Sequence, residues 1–156
     1  MANLTWAGKK GTNDLYNDIS TIMNAPVANG TIEFGTFVKY ETVGGANNKI
    51  VQYDGSGTVL GVAEATSGAS DLDNKKYSEK DYVNVIRENE LYLVVDPGAT
   101  VAINRDSKLG VTATGKLVNA TDKLKAVDIE GRSSTIVTPT EAAAGATALV
   151  YFKLIK

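Results

Sequence analysis

No cysteine occurs among the 156 residues, so disulfides, thiol nucleophiles and zinc–thiolate sites are excluded. Histidine is absent too, which removes the commonest general base and the commonest metal ligand. Any catalysis would rest on carboxylates, lysines, tyrosines and hydroxyls. No run of about 18 apolar residues is present to cross a bilayer as a helix. The first residues also lack the apolar stretch of a secretory signal. The expectation is a chain that stays in the cytoplasm where it is made, or is packaged from it. The sequons at Asn3, Asn29 and Asn119 then carry little weight. A large charge of one sign is lacking as well. The net charge of −2 gives no broad basic field for nucleic acid or an anionic membrane.

Hydrophobic residues at 43% and charged residues at 22% are ordinary for a globular protein, and the length suits one domain with a real core. The chain is organised around the stretch from Gly35 to Ile86. It holds Gly35-Thr36-Phe37-Val38-Lys39-Tyr40, then Lys49-Ile50-Val51-Gln52-Tyr53, then Val59-Leu60-Gly61-Val62-Ala63, and closes with Tyr82-Val83-Asn84-Val85-Ile86. Each piece is a short β-branched or aromatic run, and Gly, Asn, Asp and Ser clusters separate them. That pattern predicts consecutive strands of an all-β domain. Phe37, Val62, Val85, Val150 and Phe152 lie on apolar strand faces and are expected in the core.

Residues 1–30 read differently, as an N-terminal arm ahead of an all-β domain over residues 31–156. Leu15, Ile19, Ile22 and Met23 follow the i, i+4, i+7, i+8 spacing of one helical face, which predicts a short helix near residues 13–23. Pro26 and Gly30 end it. Trp6, alone in a polar leader, fits an anchor. Trp6, Leu15, Ile19, Ile22 and Met23 are therefore the candidate partner-binding residues. The competing reading is a helix packed on its own domain. Residues 66–81, rich in Ser, Asp and Lys, form a polar insertion. The last strand, Ala148 to Ile155, is apolar on both faces and is expected to be central. A weak echo between the two halves fits the way all-β chains repeat themselves by composition; the alternative, a duplicated half, would favour a closed or two-sheet barrel. The fold class expected is mainly β, a small β-barrel or β-sandwich-like domain with a short N-terminal helical arm.

Candidate chemistry is sparse. Gly110-Val111-Thr112-Ala113-Thr114-Gly115-Lys116 fits the G-x4-G-K part of a phosphate loop, but Leu117 stands where Ser or Thr must hold magnesium, and a strand follows instead of a helix. Asp71-Leu72-Asp73-Asn74 opens like a calcium loop, then places Lys75 and Lys76 at ligand and turn positions. A loose cation site from Asp71, Asp73 and Asp81 stands against the simpler reading of a solvated loop. Glu88 and Glu90 flank Asn89 at an expected hairpin tip, where burial for acid–base work is lacking. Tyr16, Tyr40, Tyr53, Tyr77, Tyr82, Tyr92 and Tyr151 are mostly packing residues, although some could line a sugar-binding face.

Over roughly Gly30 to Lys156 the order of these pieces resembles the bacteriophage capsid decoration, or cement, proteins. Carrying residues are Gly35-Thr36-Phe37-Val38, Leu60-Gly61-Val62-Ala63-Glu64-Ala65 and Tyr82-Val83-Asn84-Val85-Ile86. Further along come Pro97-Gly98-Ala99-Thr100-Val101-Ala102-Ile103-Asn104, the Thr/Gly-rich Leu109 to Leu117, and Ala142-Ala143-Ala144-Gly145-Ala146-Thr147 before the last strand. The resemblance implies a non-enzymatic virion protein with no catalytic residues and no cofactor. It implies a place on the outer surface of the phage head, binding to the major capsid protein, and a homotrimer at local symmetry axes. Alternatives are another phage structural β protein, of tail or baseplate, or a carbohydrate-binding module. A further alternative is an enzyme using carboxylates alone.

Overall fold

The structure, a computed structural model, describes residues 20–21, 26–41 and 48–154. Among the described residues, thirteen strands and one short helix follow in order: β1 Ser20–Thr21, β2 Val27–Ala28, β3 Ile32–Glu33, β4 Phe37–Tyr40, β5 Lys49–Gln52, β6 Gly61–Ala63, β7 Lys76–Tyr77, β8 Val85–Val94, β9 Leu109–Thr112, β10 Leu117–Asn119, β11 Lys125–Ile129, β12 Gly131–Ser133, α1 Pro139–Ala143 and β13 Thr147–Lys153. The main sheet runs β12-β13-β8-β6-β4-β5-β2, with β1 added beside β8. A three-stranded sheet, β10-β9-β11, and a pair, β3-β7, complete the described strands. The mainly β expectation holds.

Two cores lie on opposite faces of the middle of the main sheet. Along β4, Phe37 enters the first core and Val38 the second; in β6, Val62 enters the first and Ala63 the second. Successive strand residues point to opposite faces, so both faces of β4 and β6 are covered. The first core joins the main sheet to the three-stranded sheet through Leu91, Val150 and Phe152 on one side and Leu109, Val111 and Leu117 on the other. The second packs β3 and β7 on the back, with Phe34, Ile50 and Tyr77 at its centre. Phe37, Val62, Val85, Val150 and Phe152 are all fully buried, as expected. Close approach demands glycine at position 61, where a Cβ would meet the Ile86 carbonyl oxygen at 2.6 Å.

The sheets do not close into a barrel. The main sheet ends at β12 on one side and β2 on the other. The chain passes from β11 of the small sheet to β12 of the large one through Glu130, and β12 starts at Gly131, where a Cβ would lie 2.6 Å from the Tyr151 carbonyl oxygen.

Three further expectations need correction. The helix expected near residues 13–23 is not supported. Its residues 13–19, 22 and 23 lie outside the described residues, and Ser20–Thr21 form β1, paired antiparallel with β8. Residues 26–30 contribute β2 and the buried Ala28 to the body. Second, Arg87-Glu88-Asn89-Glu90 is no hairpin tip but the middle of the ten-residue β8. Ser20 sits opposite Glu88 and Thr21 opposite Ile86, so Arg87 is the extra residue of a β-bulge. The bulge brings Ile86 and then Leu91 and Leu93 onto the same core, although uninterrupted alternation would part them. Third, β13 is not central: it lies between β12 and β8, next to the sheet edge, and only its Ala148, Val150 and Phe152 face is buried.

Candidate partner-binding surface

The polar groups that looked reactive in sequence are occupied by structure. Gly110–Thr112 and Leu117–Asn119 are the two arms of a hairpin, and Gly115 turns it with φ +75°. A Cβ at Gly115 would lie 2.8 Å from the Phe37 carbonyl oxygen, so the tip is pressed against β4 and is not an open phosphate cradle. Lys39 is buried and pairs with Asp54 at 2.8 Å, while its Nζ also donates to Ser56 Oγ at 2.9 Å. Hydrogen bonds from Lys39 and then Ser56 hold the Asp54 carboxyl well below the usual carboxylate range.

The insertion 66–81 folds onto the second core instead of waving in solvent. Tyr77 is fully buried and stacks edge-to-face on Phe34 at 5.1 Å. Its hydroxyl donates to the Glu64 carbonyl and accepts from the Asn84 N–H. Burial pushes this phenol well above its ordinary range. Asp81 closes the insertion by accepting from Ser70 and from the Ser78 N–H. Burial raises that carboxyl, but the Ser70 and Ser78 donors outweigh it and the net shift is downward. Asp71 accepts from Asn74. Among the described residues no cluster of three acidic side chains is placed to hold a metal ion.

What remains is a surface. Arg132 lies opposite Tyr151 across β12 and β13, and Tyr151 lies opposite Glu90 across β13 and β8. Directly opposed residues share a face. The neighbouring rows place Leu149 beside Tyr92 and Lys153 beside Glu88. Past the bulge, therefore, the outer face of β8, β13 and β12 has an apolar centre of Tyr92, Leu149 and Tyr151 with a charged rim. Tyr151 is 38% exposed, Leu149 and Tyr92 are half-buried, and Arg132 and Lys153 are exposed. Tyr151 Oη donates to Glu88 Oε1 at 2.6 Å, which fixes the ring across the strands and raises its phenol pKa. An aromatic and arginine cluster on a rigid sheet is the composition of an interface centre. On the buried side of the same strand, Arg87 Nε and Asn89 Nδ2 lack hydrogen-bond partners, which marks the bulge as a costly place to have kept.

Trp6, Leu15, Ile19, Ile22 and Met23 lie outside the described residues, as does Tyr16. Of the other tyrosines, Tyr53 and Tyr77 are core residues, while Tyr40 and Tyr82 are exposed away from any shared row with Tyr151. Sequence reasoning missed the face because it read Leu149 and Tyr151 as half of a doubly buried strand. It also missed α1, whose signal is the Thr138-Pro139-Thr140-Glu141 stretch. Thr138 Oγ1 accepts from the Glu141 N–H, and Glu141 accepts from the Thr138 N–H, a capping box with Pro at the first helical position.

A family model described as structural cement protein (E217 gp24/Pam3 gp6) matches residues 4–153. A comparison with curated proteins gives no match.

Proposed function

The chain belongs to the phage structural cement proteins, a family with a structural, capsid-stabilising role in the virion, and from that premise we propose that it binds the major capsid protein on the outer surface of the head. The match across residues 4–153 carries this reading, because it spans both cores and the outer face of β8, β13 and β12 together. The rest of the molecule is in keeping with it. The described polar groups that looked reactive are held in turns and pairs, and no catalytic step is part of the proposal.

Copies are made in the host cytoplasm and assemble as trimers at local symmetry axes of the shell. Each contact is small, and the shell repeats it many times. Binding strength then comes from the effective concentration of neighbouring sites more than from any single patch. A cement subunit of this kind ties adjacent capsomers together and resists outward pressure.

The test is mass spectrometry of purified virions, with the copy number taken relative to the major capsid protein. A fixed stoichiometric ratio is expected, with restored shell resistance when the purified chain is added to particles that lack it. Trace, variable amounts in virions, or enrichment in isolated tails and not in heads, would overturn the assignment.

A further inference from the structure

We propose that Asn29 is a site of spontaneous self-modification, and that its conversion to aspartate or isoaspartate cuts a tie between β2 and the end of β4. The inference stands apart from the cement assignment and needs no partner.

The sequence marks the place. Asn29-Gly30 is the one Asn-Gly step in the chain, and every other asparagine is followed by a residue with a side chain. The structure shows why this step is open to attack. β2 uses its N–H groups up to Asn29: Ala28 donates to the Asp81 carbonyl at 2.9 Å, and Asn29 to the Ile50 carbonyl at 2.8 Å. The Gly30 N–H, next in line, takes no part in the backbone hydrogen bonds of the described residues. Gly30 stands at φ +93°, and nothing lies within 4 Å of where a Cβ would be, so solvent and base reach its nitrogen. Glycine also lacks the side chain that shields the nitrogen in other steps.

The Gly30 nitrogen adds to the Asn29 side-chain carbonyl carbon, Cγ, and gives its proton to solvent base. The Cγ–Nδ2 bond then breaks, and Nδ2 takes up a proton and leaves as ammonia. The product is a cyclic imide. Water opens it at either carbonyl, giving aspartate, or isoaspartate with an extra carbon in the main chain. Asparagine and water become aspartate and ammonia, with no oxidant or cofactor.

Asp54-Gly55 supplies the contrast within the same fold. Gly55 has nearly the same φ, +91°, but a Cβ there would lie 2.9 Å from Ala113 Cβ, so the turn is pressed against its neighbour. Asp54 is paired with Lys39 Nζ at 2.8 Å and is held as the anion, a poor centre for attack. Cyclisation is blocked there.

The reaction matters because of what Asn29 holds. Its Nδ2 donates to Glu41 Oε2 at 3.2 Å. Glu41 follows β4 directly, and its N–H donates to the Lys49 carbonyl of β5 at 2.8 Å. The aspartate product sets a second negative charge against the Glu41 carboxylate where a donor stood, and the pair repels. Isoaspartate also lengthens the main chain just after Ala28, which is buried in the second core.

The test is peptide mapping by mass spectrometry of the full-length protein, kept folded at mildly alkaline pH and sampled over time. Conversion at Asn29 is expected to run ahead of every other asparagine, with Asp54 unchanged. Asn29→Gln keeps an amide but closes a larger ring slowly, and is expected to stay intact. Melting temperature reads the consequence. Asn29→Asp is expected to melt about 2–4 °C below the parent, the effect of about one hydrogen bond. Glu41→Gln restores a donor across the gap, so in its background Asn29→Asp is expected to lose less. Asn29 left intact in the folded protein while other asparagines convert overturns the proposal, as does conversion confined to chains unfolded in denaturant. An Asn29→Asp variant as stable as the parent, or a loss that Glu41→Gln does not relieve, overturns it too. Every readout is made on the purified chain, so these failures are distinguishable from a failure of the cement assignment, which virion copy number decides.

Discussion

Replacing Tyr77 by Phe removes one oxygen and tests whether the polar insertion is part of the fold. Tyr77 is fully buried, and β7 pairs it with Ile32 of β3. The ring packs on Phe34 at 5.1 Å and 72°, and the Phe variant keeps that contact. What it loses is a hydroxyl that donates to the Glu64 carbonyl and accepts from the Asn84 N–H at 3.2 Å. A neutral hydrogen bond is worth about 1 kcal/mol net, and a stranded buried partner adds to the loss, so Tyr77→Phe should cost about 1–3 kcal/mol. In a protein of this size each kcal/mol lowers the melting temperature by about 2–4 °C. Tyr77→Ala also deletes the ring and should lose about a further 3–5 kcal/mol.

The pH dependence gives a second handle on the same oxygen. Burial raises the Tyr77 phenol pKa, so the folded protein keeps a proton that the unfolded chain releases above about pH 10. The unfolded state then binds fewer protons, and stability falls as pH rises through that range. The Phe variant lacks the group, so the stability gap to the parent should narrow above about pH 10. Denaturant unfolding followed by circular dichroism, at neutral pH and at several alkaline values, measures both effects. A Phe variant that matches the parent at neutral pH, with a gap independent of pH, would refute the reasoning and detach the insertion from the core.

Truncating Phe152, fully buried and edge-to-face with Phe37 at 6.3 Å, should cost about 3–5 kcal/mol by equilibrium unfolding. A loss below about 1 kcal/mol would mean that this face of β13 is not packed. Asp122 accepts from the N–H groups of Thr100, Val101 and Leu124. Burial pushes its carboxyl up, but the Thr100, Leu124 and Val101 donors outweigh that and the net shift is downward. Its contribution is present above the ordinary carboxylate range and is lost as pH falls through and below about 4, so Asp122→Ala should be less stable at neutral pH with the gap closing in acid. A gap constant with pH would show that the carboxylate is not the stabilising form. Thr138→Ala removes the side-chain acceptor of the α1 capping box and should cost about 0.5–2 kcal/mol in a thermal melt, whereas Thr138→Ser should restore most of it. Equal losses from both substitutions would rule out the cap as the cause.

Local chemistry was enough to read the strands and their buried side chains. Phe37, Val62 and Val85 stand in β-branched runs bounded by glycine and polar turns, and alternation with period two marks which neighbour faces inward. The lack of cysteine and histidine narrowed the chemistry without any coordinates, and the order of the runs carried the family. Alternation cannot say how many layers cover a sheet, because a residue facing a second layer and one facing a partner look alike in sequence. Val38 and Ala63 proved to face a second core within the chain, while Leu149 and Tyr151, equally apolar, face outward. Nor could the sequence show that Arg87-Glu88-Asn89-Glu90 continues a strand. Its polar side chains read as a turn until β1 and β13 were seen to pair on either side of it, with the extra residue absorbed as a bulge. Closure was decided in the same way. Strand count and propensity suit a barrel or an open sheet equally well, and only the long-range pairing, which ends at β12 on one side and β2 on the other, shows the sheet to be open.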